Sequence, residues 1–371
     1  MATIKDVAKK AGVSVCTVSR AIAGKGYIKQ ETRERIMEVV EELGYAPNKT
    51  AVSLKTGQTN LLALVVPSIR NVYYPKLARY VQNYANEKGY MMLLCSTDYK
   101  VEKEKEFLER LYSQNVSGVI VTTCSDENEH IKRLKTYGIP YVYLNRTYED
   151  DLEHCLRIKN REAADEAVSY LIDMGHKNIG GLFRSFDNMI YRDRYEGMQD
   201  ALKRYGLNVN EEKILFNVED SEDSYQIIED MLKQENRPGA FFASDDMLAY
   251  GVYKVAYDLK LNIPEDLSIV GFDNSIMSDV IAPHLTTYET PAKELAQLAV
   301  KAIDECISTG KMPKNFNFWK EKWYTESLYQ RNKHSVVEVR RHGKVYIRTA
   351  SSNNDKRRSF CLAFRRRRRN Q

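Results

Sequence analysis

The chain has 371 residues, of which 43% are hydrophobic and 29% charged, so it can form a small domain and one or two larger ones. It contains no run of about 18 apolar residues and starts directly with a helix-forming segment, so we expect neither a membrane span nor a signal peptide. The six cysteines stand singly, without a C-x-x-C pair or a histidine at metal-ligand spacing, which predicts reduced thiols in the cytoplasm.

The first twenty-two residues have the spacing of two helices joined by a tight turn. Apolar side chains repeat at helical spacing over Ile4–Ala11, and Thr3 with Asp6 can cap the start of that helix. Gly12 can adopt the left-handed conformation that ends it, and Ser14 can cap the next helix. The segment therefore predicts a helix-turn-helix.

The second helix would point Val18 and Ile22 toward the core and a polar face outward. A face of this kind fits the major groove of DNA, which admits an α-helix. The alternative is an ordinary helical hairpin with a polar surface. The outward residues are Val15, Cys16, Thr17, Ser19 and Arg20.

A third amphipathic helix is predicted from Gln30 to Leu43, after which residues 44–48 break the chain. Residues 51–57 could add one or two helical turns before the next domain. Residues 1–57 hold ten Lys and Arg against six Asp and Glu, a net charge of +4. A basic helix-turn-helix segment favours DNA as the first partner to test.

These residues resemble the headpiece of the LacI/GalR family of bacterial transcription regulators. The segments T-I-K-D-V-A-K-K-A-G-V-S-V-C-T-V-S-R, T-R-E-R-I, E-L-G-Y-A-P-N and S-L-K-T-G match that family's pattern nearly position for position. The resemblance implies that Val15 and Cys16 vary with the operator sequence and that Arg20 reaches a base edge. It further implies that Leu54 is the leucine of a hinge helix that wedges into the minor groove.

Other headpiece residues are implied to contact DNA without reading bases. Ser14, Thr17 and Ser19 would bond phosphates or the helix end. Ala23 stands where the family usually has Asn, and Val52 stands where Arg is common, so phosphate binding should be weaker, offset in part by Lys49 and Lys55. The implied DNA-binding set is completed by Thr3, Asn48, Ala51 and Lys55.

From Leu61 onward, short apolar runs alternate with helical patterns, which is typical of a parallel, doubly wound sheet. The first series has strands at 61–67, 91–95 and 118–121 and helices at 74–89 and 100–114; the second has strands at 179–183, 240–243 and 267–272 and a helix at 191–205. Segments 194–198, 244–251 and 263–274 resemble the periplasmic-binding-protein-like core of the same family.

We therefore predict an α/β protein in which an N-terminal three-helix headpiece with a hinge helix precedes a core of two doubly wound parallel α/β subdomains. The predicted domains are a DNA-binding headpiece and hinge at 1–57, a two-lobed effector-binding core at 58–313, and an aberrant basic tail at 314–371. A cleft between the two lobes is expected.

Ligands of such cores lie where the carboxyl ends of the strands of both lobes face the cleft. In the family, the arginine that matches Arg194 and two acidic or amide positions hold the effector, while aromatic side chains stack on it. Asp and Asn at strand ends are also common turn formers and helix caps. The residues that meet the positional test are Ser68, Tyr73, Tyr74, Asn145, Arg146, Arg194, Asp245 and Asp273. Together they favour a sugar or sugar derivative, with a purine as the alternative within the family.

The pattern gives no support for an enzyme. His130, His154, His176 and His284 lack a paired nucleophile or metal-ligand spacing, and Gly180-Gly181 is not a phosphate loop, so neither cofactor nor metal is expected. The main rival class is a free-standing solute-binding protein or a sugar enzyme, which would carry a signal peptide or a catalytic dyad rather than a headpiece.

The last fifty-eight residues do not continue the pattern. Residues 314–371 carry seventeen Lys and Arg against four Asp and Glu. When the codons for Phe318 onward are read from each third base, synonymous choices allow the peptide Leu-Glu-Gly-Lys-Met-Val-Tyr-Arg-Glu-Ser-Val-Ser-Lys-Lys followed by a stop, which supplies the expected final strand and its Arg-Glu-Ser ending. We therefore predict a frameshift between Lys314 and Asn317; the alternative is a genuine arginine arm at 365–369 for nucleic acid or membrane surfaces.

The sequence thus predicts a cytoplasmic, homodimeric, ligand-responsive transcription regulator, most simply a repressor. One headpiece would read each half of a near-palindromic operator in double-stranded DNA, because a two-fold dimer presents two identical recognition helices. A sugar-like small molecule would be the effector, and no membrane partner is expected.

Overall fold

In the computed structural model the described residues are 2–24, 26–45, 59–146, 148–218 and 221–313, with residues 221–224 as backbone only, together with the backbone of three strands between residues 328 and 349. The chain divides into two compact units, residues 1–59 and residues 60–371. The first unit is helical, and the second contains two large β-sheets.

Capping residues set the bounds of the first two headpiece helices, α1 (Ile4–Ala11) and α2 (Val15–Ala23). The Thr3 hydroxyl accepts a hydrogen bond from the Asp6 N–H at 3.4 Å, while the Asp6 carboxylate accepts one from the Thr3 N–H at 2.8 Å. This reciprocal pair is a capping box. Ser14 caps α2 by accepting from the Thr17 N–H at 3.1 Å. Both caps follow from the local sequence alone.

The helices α1, α2 and α3 (Gln30–Glu42) enclose a small apolar core. Val7, Val18 and Ile36 are fully buried at its centre. An ion pair between Lys10 and Glu42 joins α1 to α3. The helix-turn-helix and the third helix predicted from the sequence are therefore confirmed, with α3 ending one residue earlier than expected.

The first lobe of the second unit is a five-stranded parallel sheet in the order β2-β1-β3-β4-β5. Strand β1 lies inside the sheet and pairs with β2 on one side, Leu62 opposite Met92, and with β3 on the other, Leu62 opposite Gly118. The strands are β1 (Leu61–Val66), β2 (Met91–Ser96), β3 (Gly118–Val121), β4 (Tyr141–Leu144) and β5 (Cys155–Leu156). Helices α4 (Tyr73–Glu87), α5 (Val101–Ser113) and α6 (Glu129–Thr136) connect successive strands, and a 3-10 helix at Glu149–His154 precedes β5.

The second lobe repeats the same strand order. Its parallel strands run β7-β6-β8-β9-β10, so each lobe has the doubly wound arrangement in which the chain reverses direction beside its first strand. The strands are β6 (Ile179–Leu182), β7 (Ile214–Leu215), β8 (Ala240–Ala243), β9 (Ser268–Phe272) and β10 (Thr286–Tyr288); the helices are α7 (Asn160–Asp173), α8 (Met189–Arg204), α9 (Ser221–Leu232) and α10 (Asp246–Asp258). Short 3-10 helices occur at Glu211–Lys213 and Ile276–Asp279.

The chain returns to the first lobe after β10. Helix α11 (Ala292–Thr309) buries Leu295, Ala299 and Ile303 in the same apolar core as Leu62 of β1. A Cβ atom added to Gly118 of β3 would lie 2.4 Å from the Ile303 side chain, so only glycine fits beneath this helix. The sequence pattern predicts two lobes in series and misses this return, since periodicity says which face of a helix is apolar but not which sheet covers it.

Strands also occur beyond residue 313. Strand β11 (Leu328–Tyr329) pairs antiparallel with β10, at the edge of the second sheet. Strands β12 (Val336–Arg341) and β13 (Lys344–Thr349) form a separate antiparallel pair. The frameshift stays a prediction about the coding sequence of this segment.

The predicted fold class is confirmed, and most element bounds shift by only one or two residues. The helix expected at 74–89 spans Tyr73–Glu87, and the one expected at 191–205 spans Met189–Arg204. Strand bounds move similarly, as in β1, which ends at Val66 before Pro67. Proline lacks the N–H that a central strand needs, which ends the strand there.

Close packing of α7 on α8 yields the first prediction. A Cβ atom on Gly197 would lie 2.0 Å from the Arg161 carbonyl oxygen and 2.9 Å from the Ala164 side chain. Alanine normally stabilises a helix interior relative to glycine by about 1 kcal/mol. Here Gly197→Ala should instead lower the free energy of unfolding by about 1–3 kcal/mol, because the helices must separate. Chemical denaturation measures the difference.

Gly239→Ala is the matched control, because its Cβ atom would meet the nearest neighbour at an ordinary 3.5 Å. It should change stability by less than about 1 kcal/mol. A Gly197→Ala protein at least as stable as the wild type would contradict the close approach of these helices.

A buried carboxyl at the start of α10 fixes β9 and β10 to that helix. Asp246 is 1% exposed; its carboxyl accepts hydrogen bonds from the Thr287 hydroxyl at 2.5 Å and the Ser275 N–H at 2.7 Å. Burial, reinforced by the nearby Asp273 carboxyl, raises the pKa of Asp246 to about 8. The group is therefore largely protonated near neutral pH.

This pKa makes stability depend on pH. Between pH 4 and pH 8 the unfolded chain releases the Asp246 proton while the folded chain keeps it, so the folded state loses stability as pH rises through this window. Asp246→Asn cannot titrate, so the free energy of unfolding of the wild type should fall relative to that of the variant from pH 5 to pH 8, by up to about 1.4 kcal/mol per pH unit. The melting temperature of the wild type should fall with it. Differential scanning calorimetry at each pH tests this.

The exposed Asp266 serves as a control because its pKa is lowered by hydrogen bonds from Asn262 and does not enter the window. Asp266→Asn should shift the melting temperature equally at every pH from 5 to 8. Parallel pH profiles for wild type and Asp246→Asn would refute the buried, protonated carboxyl.

Candidate functional site

The outward face of α2 is available to a partner. Val15, Cys16, Ser19 and Arg20 are exposed, and Thr17 is half-buried, while Val18 on the opposite face is fully buried. The predicted division of α2 into core and surface residues therefore agrees with the burial of its side chains in the structure. The first turn of α2 has no acidic residue, so its N–H groups and helix dipole are free of a competing carboxylate.

Three hydroxyls of the predicted DNA-binding set, those of Thr3, Ser14 and Thr17, already have partners within the headpiece. The Thr3 hydroxyl lies 2.7 Å from the Asp6 carboxylate, and the Ser14 hydroxyl lies 2.8 Å from that of Thr17. Their first role is to cap helices, and a phosphate would have to share them. Asn48, Ala51, Leu54 and Lys55 lie outside the described residues.

One exposed residue of the headpiece was not singled out from the sequence. Tyr27 follows α2 and is 94% exposed. Phenol hydroxyls commonly bond phosphate oxygens. Tyr27 lies in a loop outside the helix-turn-helix motif, so the sequence does not mark it as a contact residue. Its exposure in the structure does.

The second candidate site is the boundary between the two lobes of the core. The Lys76 ammonium, at the start of α4, donates to the Asn274 carbonyl beyond β9 at 2.8 Å. The Asp126 carboxylate, beyond β3, accepts from the Met189 N–H at 3.0 Å and pairs with Arg192. Loops at the carboxyl ends of both sheets therefore meet, as expected for a cleft at the switch points of two doubly wound sheets.

Arg194 lies at the centre of this boundary and is 3% exposed. Its Nε donates to the Asn160 side-chain oxygen at 3.0 Å, and one terminal nitrogen donates to the Ser244 carbonyl. The other terminal nitrogen lies 3.8 Å from the Asp273 carboxylate, and the guanidinium carbon lies 3.5 Å from the centre of the Phe272 ring. The guanidinium is thus held flat against an aromatic face.

An amide chain links Arg194 to the first lobe. The Asn160 side-chain nitrogen donates to the Asn145 side-chain oxygen at 2.9 Å, while its oxygen accepts from Arg194. Asn145 follows β4 with a positive φ of 54°. This chain therefore connects Arg194 to a residue that follows a strand of the first lobe.

Arg184 is a cleft residue that the sequence pattern missed. It follows β6, is 6% exposed, and pairs with the Asp245 carboxylate. Its guanidinium carbon lies 5.6 Å from the centre of the Tyr99 ring in the other lobe. The available signal was its place directly after a strand, the same criterion that selected Asn145 and Arg146.

Asp245 and Ser68 act as a helix cap and a turn former. Asp245 caps α10 by accepting from the Leu248 N–H at 3.0 Å and also holds Arg184. Ser68 is buried and accepts from the Arg70 N–H at 3.1 Å, which is a turn-forming bond. Both residues therefore have the cap or turn role that is common for polar residues at strand ends. Asp245 also forms an ion pair with Arg184.

Aromatic rings line the boundary. The ring centres of Tyr73 and Tyr74 lie 5.3 Å apart in an edge-to-face arrangement. Burial raises the pKa of both phenols, and Asp273 adds to the rise for Tyr73. Burial also raises the pKa of Tyr191, which faces them from α8. All three phenols therefore stay protonated and can act as hydrogen-bond donors.

Burial raises the pKa of Asp273 to about 6, although the Arg194 charge opposes the change. The Thr290 hydroxyl donates to this carboxylate at 2.8 Å. At neutral pH the group is mainly ionised and can accept hydrogen bonds from a ligand. The structure brings the predicted cleft residues Tyr73, Tyr74 and Arg194 to this same boundary.

Two buried carboxylate–histidine pairs lie in the first lobe. Glu104 accepts from His130 and from the Thr123 hydroxyl, each at 2.7 Å. Burial acts to raise the pKa of Glu104, but these bonds outweigh it and the pKa lies below its usual value. Asp151 is likewise bonded to His154 and to the Tyr141 hydroxyl. Both pairs join neighbouring elements of the lobe.

Among the described residues, Asp151, Glu153 and His154 are the one group whose ligand atoms lie close enough for a metal ion. The oxygens of Asp151 are already taken by Tyr141 and His154, so the donor set is occupied by protein partners. No helix in the described part of the chain is both long and apolar enough to cross a bilayer.

Two family models match the chain. Residues 3–48 match the bacterial regulatory proteins of the lacI family, and residues 168–321 match the periplasmic binding protein-like domain. The match therefore covers the helix-turn-helix and most of the second lobe.

Relatives match over most of their length. Catabolite control protein A of Priestia megaterium is 32% identical over 307 residues, which cover 82% of this chain and 92% of that protein. The ribose operon repressor of Halalkalibacterium halodurans is 32% identical over 303 residues, which cover 82% and 89%.

A solved LacI family transcriptional regulator from Enterococcus faecium with bound ribose is 26% identical, covers 69% of this chain and 93% of that one, and superposes with a TM-score of 0.63. Similar helix-turn-helix residues, the two-lobed fold and relatives matched along nearly their whole length agree. The chain belongs to the lacI family of bacterial regulatory proteins, as a DNA-binding transcription regulator with an effector-binding core.

Proposed function

We propose that this regulator binds a near-palindromic operator as a dimer and that a sugar or sugar derivative, bound between its two lobes, changes its affinity for that operator. One observation carries the proposal: the chain that presents the exposed α2 face also brings Arg194, Asp273 and two tyrosines together at a lobe boundary. A free-standing solute-binding protein would need no such headpiece.

Base reading is assigned to the α2 face, with Arg20 as the base-contacting cation. Arginine can donate two hydrogen bonds to one guanine edge, whereas Val15 and Cys16 offer apolar contacts to thymine methyl groups. Ser19 and Tyr27 would bond phosphates and fix the register of the helix on the duplex.

Two exposed apolar patches support a dimer. The edge strand β2 exposes Met91, Leu93 and Leu94, and an exposed edge strand of this composition would aggregate unless a partner covers it. In the second lobe Ile276 and Val280 are 71% and 65% exposed. A second copy related by a two-fold axis would cover both patches and present two recognition helices to the operator.

The effector site is assigned to the lobe boundary. Asp245 and Asp273 accept hydrogen bonds, Arg194 and Tyr73 donate them, and the aromatic rings offer apolar faces, which together suit a polyhydroxylated ring. The similar Enterococcus faecium regulator holds ribose. A purine is the competing ligand class in the tests below.

Coupling between the sites follows from differential affinity. An effector that binds one lobe arrangement better shifts the population toward it, by no more than its preference for that arrangement. The Arg194–Asn160–Asn145 chain is one of the described hydrogen-bonded connections between the lobes, together with the contacts of Lys76 and Asp126. We assign no catalytic step, and we place the protein with its operator in the cytoplasm.

The base-reading assignment predicts that Arg20→Ala loses about 1–3 kcal/mol of operator affinity while nonspecific binding changes less, because a bidentate base contact is lost. Arg35→Ala is the matched control, since it removes one exposed positive charge from α3 instead of α2. Gel-shift titrations on operator and on random duplexes of equal length measure the specific and the nonspecific affinity. Equal losses on the two duplexes for Arg20→Ala would overturn its role.

The effector assignment predicts that Asp273→Asn and Arg194→Met weaken sugar binding at least tenfold, because each removes a charged hydrogen-bond partner. Operator affinity without effector should stay near the wild-type value. Asp200→Asn is the control, because Asp200 is on the exposed side of α8 and pairs with Arg161. Thermal-shift screens of sugars, phosphosugars and purines measure binding; stabilisation by purines alone would refute the sugar class.

A further inference from the structure

Arg146 differs from the other arginines at the lobe boundary because it is buried without a counter-charge. It is 3% exposed, and two of its nitrogens donate only to backbone carbonyls, those of Asn145 and Thr123. Its Nε is buried and has no hydrogen-bond partner among the described residues. In the described part of the chain no carboxylate forms an ion pair with it.

The neighbouring cations are compensated. Arg184 pairs with the Asp245 carboxylate, and Arg194 faces that of Asp273. The Lys76 ammonium lies 3.9 Å from the Glu289 carboxylate. Each of these three cations therefore has a carboxylate oxygen within 4 Å, whereas among the described residues Arg146 has none.

A buried charge without a partner is costly, because carbonyl dipoles replace only part of its lost hydration. A carboxylate or phosphate accepts two parallel hydrogen bonds from guanidinium nitrogens and supplies the missing charge. The unsatisfied Nε of Arg146 leaves one such bond unmade.

Arg146 also lies within reach of the cleft. Burial raises the pKa of Tyr74; Tyr191 and Asp273 of the second lobe add to the rise, and Arg146 opposes it. One phenol thus interacts with Arg146 on its own lobe and with two cleft residues of the other. The contact to the Thr123 carbonyl places the guanidinium beside the carboxyl end of β3.

We propose that the effector is an anionic sugar, whose carboxylate or phosphate pairs with Arg146 on the first lobe while its hydroxyls bond Asp245 and Asp273 on the second. This inference rests on the proposed effector site and specifies its ligand class. The two aspartates repel an anion, so they fix the orientation of the sugar as well as its binding.

The test compares matched pairs of sugars on the full chain by isothermal titration calorimetry. The pairs are glucuronate and glucose, galacturonate and galactose, glucose 6-phosphate and glucose, and ribose 5-phosphate and ribose. We expect at least one anionic sugar to bind tenfold or more tightly than its neutral partner, and the uronate and phosphate arms to identify the anion. A neutral sugar that binds as tightly as its anionic partner would overturn the inference and leave the proposed function intact.

The variants Arg146→Gln and Arg146→Lys test whether the preference for an anionic sugar depends on the charge of Arg146. The glutamine variant should reduce the preference for the anionic sugar to within about threefold, the lysine variant should retain part of it, and the exposed control Arg110→Gln should retain all of it. A full preference in the glutamine variant would refute the assignment to Arg146. If no sugar of either kind binds the wild type or alters its operator affinity, the proposed function fails and the inference fails with it.

Discussion

The guanidinium of Arg194 is the contact on which the organisation of the core depends. It joins the end of β8 through the Ser244 carbonyl and the end of β9 through Asp273, and it reaches the first lobe through Asn160 and Asn145. A fully buried guanidinium is tolerated only when most of its donors are satisfied. The lobes therefore cannot move independently of the groups that would hold a ligand.

The return of α11 to the first lobe also connects the two lobes. Because Leu295 and Ile303 pack beneath the first sheet, the chain crosses between lobes before α7 and after β10, and it crosses again between α11 and β11. These crossings restrict the relative motion of the two lobes. A ligand that binds residues of both lobes can then favour one rotation over another, which is the differential affinity that regulation needs.

The headpiece depends on short-range interactions. Thr3 and Ser14 cap helices through residues three positions away, and Val7, Val18 and Ile36 form the small core. Its surface residues carry no such constraint and can vary with the operator. A module built in this way can change its DNA sequence preference without changing the effector site, since the two sites share no residue.

Caps, periodicity and turn residues act over a few positions, so the helix-turn-helix, the two doubly wound units and the strand-end position of Asp273 could be predicted from the sequence. The sequence could not show that α11 covers the first sheet or that Arg184 pairs with Asp245. These are contacts between residues distant in the chain, and an apolar helix face or a lone arginine does not specify its partner. Both contacts are apparent in the folded molecule alone, because burial and charge pairing depend on how distant parts of the chain pack.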